Sequence, residues 1–260
     1  MEDLHPVLLG TLASGLATLG TALGASVVFF FRRIETLLED ILLSGAAGIM
    51  LAATFFSLLQ PGLDIGQAQF GSEAIAALVV VGGLLAGAWL LWLIHQRAPH
   101  EHFITGQEGP PNPRLGRIWL FVIAITLHNF PEGMAVGVAV AGTGFAGGTA
   151  LTIGIGLQNI PEGLAVAIAL VAVGYNRMQA FLVGLASGLA MPLGGLLGSA
   201  AVWIAAPLLP AILGFAAGAM LFIISDEIIP ETHSRGYQTA ATFALLGGFA
   251  IMLLLEATIG

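Results

Sequence analysis

His128 and Glu132 stand four residues apart in the stretch LHNFPEGMA, and Gln158 and Glu162 repeat that spacing in LQNIPEGLA thirty residues later. In a helix, residues at i and i+4 share one face, so each stretch offers a pair of polar donors on one side. Pro131 and Pro161 cannot donate backbone hydrogen bonds, which releases the carbonyls of Leu127 and Leu157 and loosens the helix. Lipid tolerates such loosening where the backbone lines a polar cavity. An imidazole, amide oxygens and two carboxylates on facing helices suit a divalent cation. Two carboxylates neutralise a 2+ ion and so remove the cost of burying either one alone. A buried hydrogen-bond network and a proton relay use the same residue types, although neither requires a duplicated motif.

The elements that hold these residues must lie in a membrane. The chain is 57% hydrophobic and 8% charged, with a mean hydropathy of +0.97, against roughly 25% charge in soluble domains. A net charge of -8 argues against a nucleic-acid partner, and the absence of cysteine excludes thiolate metal sites. Spanning helices need roughly 20 apolar residues, and eight such runs are expected: 6–31, 41–60, 74–94, 118–141, 146–173, 180–202, 205–229 and 240–255. The expected fold class is therefore all-α: an integral membrane protein of eight transmembrane helices in one bundle over residues 1–260. Residues 96–116 read as a flexible cytoplasmic loop within it. The basic residues are Arg32, Arg33, Arg97, Arg114, Arg117, Arg177 and Arg235. All seven fall in the loops after the first, third, fifth and seventh runs, which the positive-inside rule makes cytoplasmic, with both termini outside. His128 then lies eleven residues past Arg117, and Gln158 twelve past Ala146. At about 1.5 Å per residue both sit roughly 16–18 Å deep, near the bilayer centre, on antiparallel helices.

These motifs resemble the ZIP (Zrt/Irt-like protein) family of divalent metal transporters, in its bacterial GufA-like branch. Besides HNFPEG and QNIPEG, the resemblance rests on AAGIMLAATFFSLLQPGLD, ASGLAMPLGG and SDEIIPETH, and it spans nearly the whole chain. It implies a primary metal site at His128, Glu132, Gln158 and Glu162, with Met50 as a further contact. It also implies uptake of Zn2+ or a similar ion (Cd2+, Fe2+, Mn2+) into the cytoplasm, with no cofactor. A second site beside the first is implied around Asn129, but Asn159 and Met191 stand where relatives often carry Asp and Glu, so that site should be weak or empty. Asp226 stands where relatives often carry His.

Outside the resemblance, the topology assigns the remaining acids to sides. Asp64 and Glu256 fall on the outer face, which carries no basic residue, and an acidic mouth concentrates cations; both are candidates for an entrance. Asp226 and Glu227 end the seventh helix, and His100 and His102, with His95, lie on the cytoplasmic loop, making a candidate exit. Membrane lipids and divalent ions are the expected partners, in the cytoplasmic (inner) membrane of a bacterium, with a homodimer open. The other functions considered are a proton-coupled carrier of another small solute and an intramembrane metalloenzyme. A carrier for an organic anion lacks an intramembrane Arg or Lys, and a metalloprotease lacks the H-E-x-x-H pattern; no enzyme is expected.

Overall fold

The computed structural model describes residues 4–31, 33–102, 106–108 and 117–260, the side chains of 100–102, 106–108 and 117 excepted. Helix α1 spans Pro6–Ser26 and tightens into a 3₁₀ turn at Val27–Phe29. Helix α2 (Thr36–Ala53) runs on through a π-helical segment, Thr54–Leu59, into α3 (Gln60–Phe70). Helix α4 (Glu73–Arg97) begins where Ser72 accepts from the Ile75 amide, and it carries Glu73 in its first turn and His95 and Arg97 in its last. That charge order complements the helix dipole. Two short strands, β1 (His100–His102) and β2 (Gly106–Glu108), pair antiparallel in the loop that follows, a pairing that composition did not point to.

Helix α5 covers Arg117–Ala172. Its 56 residues would reach about 84 Å if straight, well over twice a hydrocarbon core of about 30 Å. It bends back at Gly144, where φ is 84° and ψ 172°, a conformation open in practice only to glycine. The two arms lie side by side: Gln158 Nε2 donates to Glu132 Oε1 at 2.7 Å although 26 residues separate them. Helices α6 (Arg177–Gly188) and α7 (Ala190–Ile204) follow, broken at Leu189. Helix α8 (Leu209–Ile223) passes through a second π-helical segment, Ile224–Ile228, into the short α9 (Ile229–Thr232), and α10 (Gln238–Ile259) ends the chain. Among the described residues, seven helical segments, the bent α5 counted once, are long and apolar enough to cross a membrane.

Prolines explain three of the irregularities. Pro61 and Pro230 lie just after the two π-helical segments, where the wider turn accommodates a residue that cannot donate. Pro192 leaves the carbonyl of Gly188 without its helical donor, and Thr18 Oγ1 of α1 donates to that carbonyl at 3.3 Å.

The helices pack as two groups. Both arms of α5 are wrapped by α1, α6 and α7, while α4 pairs with α8, α2 pairs with α10, and the π-helical segment of α2–α3 joins those pairs. The glycine closing each hexapeptide sets one contact in the first group. A Cβ at Gly133 would collide with the Met191 carbonyl, and one at Gly163 with the Thr21 carbonyl. Small residues allow such close backbone approach in lipid, where van der Waals packing drives association.

Candidate metal centre

The twin motif is buried where the two arms of α5 meet. His128, Asn129, Glu132, Gln158, Asn159 and Glu162 are all at most 4% exposed. The Gln158 amide is oriented by its bond to Glu132 Oε1. Five further oxygens, Glu132 Oε2, Gln158 Oε1, Glu162 Oε2, Asn129 Oδ1 and Asn159 Oδ1, are buried with no hydrogen-bond partner among the described residues. Buried polar atoms are ordinarily paired, and a carboxylate left alone in a low-dielectric interior is costly. Acceptor-only oxygens gathered from both arms therefore fit a cation.

His128 belongs to this group by position, but its ring is engaged elsewhere. Nε2 of His128 lies 2.5 Å from Glu227 Oε2, and Nε2 of His95 lies 3.3 Å from Glu227 Oε1. Glu227 sits on the π-helical segment after α8, so this bond ties the α5 group to the other helices. Among the described residues no three His, Cys, Asp or Glu side chains are gathered closely enough to hold a metal. With the imidazole turned to Glu227, the remaining donors at the centre are two carboxylates and neutral amides. A cavity of about 40 Å³ opens beside His128 and Glu162 and is lined further by Glu227, Glu231 and Glu39. Its lining joins the motif to Glu39 and Glu231, both of which pair with Arg235.

Asn159 and Met191 are brought together: Asn159 Nδ2 donates to Met191 Sδ at 2.8 Å and to the Ala17 carbonyl at 3.3 Å. Asn129 Nδ2 likewise donates to the carbonyls of Ile125 and Ser187. Met50 is fully buried in the apolar core that also holds Met191 and Met220. At the far end, Glu256 Oε2 accepts from Ser57 Oγ at 3.0 Å, on the first π-helical segment, whereas Asp64 is exposed. Asp226 is exposed and its neighbour Glu227 buried. The side chains of His100 and His102 lie outside the described residues, and only their strand backbone is placed.

Several residues of this region were not legible from motifs. His95, read as part of the loop, is in the last turn of α4, 1% exposed and edge-on to Phe222 at 5.2 Å. Arg235 lies 2.9 Å from Glu231, 3.2 Å from Glu39 and 3.3 Å from Asp40, joining the start of α2 to α9. The one available signal was the acidic pair inside TLLEDILL, which opens an apolar run where acids are otherwise scarce.

Comparison with known proteins places this geometry in a family. The family described as ZIP zinc transporter matches residues 94–256. The chain is 47% identical over 248 residues to the zinc transporter ZIPB of Bordetella bronchiseptica, covering 95% of this chain and 80% of that protein. It is 40% identical over 251 residues to the zinc transporter GufA of Myxococcus xanthus, covering 96% and 99%. With the zinc transporter ZupT of Chlorobium phaeovibrioides it shares 35% over 265 residues, 98% of each chain. The twin motif, its bent helix and these matches make the chain a member of the ZIP family.

Proposed function

We propose that this protein carries divalent transition-metal ions, zinc first among them, across a bacterial inner membrane into the cytoplasm. The observation that carries the reading is the set of unpartnered, buried oxygens contributed by both arms of α5, in a chain of the ZIP family. Glu132 and Glu162 supply the charge, Gln158 and Asn129 supply neutral oxygens, and His128 joins when it leaves Glu227. Met50 completes the set as a soft contact. Glu256, held by Ser57, and Asp64 form the entrance. Glu227, Asp226, His100 and His102 form the exit, and the cavity beside His128 supports that direction.

The protein crosses the membrane eight times in this reading, counting each arm of α5, with both termini outside. The bend at Gly144 and the arginine pattern support that count. The neighbouring second site is weak or empty, because Asn159 and Met191 bring no charge and are bonded to each other. Two divalent ions against two carboxylates would leave excess charge near the bilayer centre, which is costly.

Uptake of zinc, cadmium, iron and manganese into liposomes holding the purified protein tests the function. Saturable zinc uptake that is lost in Glu132→Gln and Glu162→Gln, with both variants inserted, is the expected result. Uptake equal to that of protein-free liposomes would refute it.

A further inference from the structure

A second polar cleft lies away from the metal centre, at the rim that carries the arginines. It has a volume of about 450 Å³ and is lined by Arg33, Val171, Ala172, Tyr175, Asn176 and Arg177, with no acidic side chain among its described lining residues. Three elements build it. Arg33 follows the end of α1, Val171 and Ala172 close α5, and Asn176 caps α6.

The guanidinium of Arg177 is fixed by donating one N–H to the Phe29 carbonyl. Neither arginine has an ion-pair partner among the described residues; the salt bridges there that use an arginine all involve Arg235. The N-terminus of α6 adds positive potential. The hydroxyl of Tyr175 accepts from Trp119 Nε1 at 2.9 Å, which leaves its own proton for another acceptor.

The surroundings decide what kind of anion fits. Phe30, Phe31, Val173 and Met178 are exposed around the cleft, and a Trp–Tyr pair at the edge of an apolar belt marks the level of lipid headgroups. A soluble anion has no use for that apolar border, whereas a lipid uses both halves. Basic pockets between membrane helices at the cytoplasmic side bind anionic headgroups.

We propose that this cleft binds the phosphodiester headgroup of an anionic membrane lipid, with Arg33 and Arg177 on the phosphate and the acyl chains along Phe30, Phe31 and Met178. The site rests on the membrane reading of the helices and is independent of what the centre carries.

Native mass spectrometry of the full chain, released from detergent with added phosphatidylglycerol or phosphatidylcholine, tests it. Phosphatidylglycerol should be retained in preference. Each arginine near a lipid surface contributes about fivefold, so Arg33→Gln should weaken retention by about fivefold and Arg33→Gln/Arg177→Gln by about thirtyfold. Arg177→Gln also removes the bond to Phe29, so Arg33→Gln, altered on an exposed loop residue, is the decisive variant. Equal retention of the two lipids, or retention unchanged in Arg33→Gln, overturns the proposal. So does displacement of the lipid by inorganic phosphate at equal concentration, which would assign the cleft to a free anion. Zinc uptake is not read, so a failed transport assay leaves this test standing.

Discussion

At the scale of the residue, the arrangement separates a metal centre from a hydrogen-bond network by what isosteric changes do. In a network, Glu→Gln keeps the shape and relieves two buried charges. At a metal centre the same change removes the charge that holds the ion. Glu132→Gln and Glu162→Gln are therefore expected to lower zinc uptake by more than the roughly 10–100-fold that outer-shell changes cost, and His128→Ala by a similar factor. Uptake in reconstituted liposomes, normalised to inserted protein, checks this. The same ligands must be deprotonated to bind, so zinc binding should release protons and weaken as pH falls through about 6.5, where an unperturbed imidazole titrates. Calorimetric titrations in buffers of different ionisation enthalpy would detect the protons, and affinity constant from about pH 7.5 to 5 would count against His128 as a ligand. The donor types and their spacing were legible in the sequence. The choice of His128 between the centre and Glu227 was not, because it depends on a residue 99 positions away on another helix.

At the scale of the element, two glycines fail for different reasons when given a methyl group. At Gly163 the backbone is helical and the obstacle is the Thr21 carbonyl, so Gly163→Ala must push α1 away from α5. A cost of about 1–3 kcal/mol is expected, as for other overpacked sites. At Gly144 nothing stands within reach of a Cβ, and the obstacle is the positive φ. Gly144→Ala should cost about 1–3 kcal/mol through backbone strain alone. Thermal unfolding of both variants checks the magnitudes, and a double variant should show additive losses, since the two sites share no contact. The sequence placed the end of the fourth run and the start of the fifth on either side of Gly144, because loss of apolar periodicity and a glycine cluster mark a turn directly. It did not foresee that α2 would continue past Pro61 to Phe70, or the π-helical segments. A proline reads locally as a stop, and only neighbouring helices decide whether a wider turn can absorb it.

At the scale of the whole molecule, a cargo ion held by the buried carboxylates would make stability depend on that ion. An ion that binds the folded chain alone stabilises it by about 2.7 kcal/mol at a hundred times its dissociation constant. Zinc should therefore raise the unfolding temperature in proportion to the logarithm of its concentration, magnesium should do so less, and Glu132→Gln/Glu162→Gln should abolish the response. Scanning fluorimetry on the four tryptophans reads it out. An expected side for each loop was legible in the arginine pattern. The joining of Glu39, Asp40 and Glu231 through Arg235 was not, because charge counts assign a side and say nothing of partners.

The bond between His128 and Glu227 has one more consequence. A ring nitrogen that gives its proton to an ionised carboxylate has no lone pair to offer a metal. The incoming ion and Glu227 are thus rivals for the same atom, and the rivalry is reciprocal: whatever strengthens one weakens the other. Since Glu227 stands on the other helix group, capture of an ion through this nitrogen would unfasten one tie between the two halves of the protein, and release would refasten it. Glu227→Ala should then hold zinc more tightly at equilibrium while passing it more slowly. Opposite movement of the affinity and the uptake rate in that single variant is the signature of such a rivalry, and a parallel loss of both would rule it out.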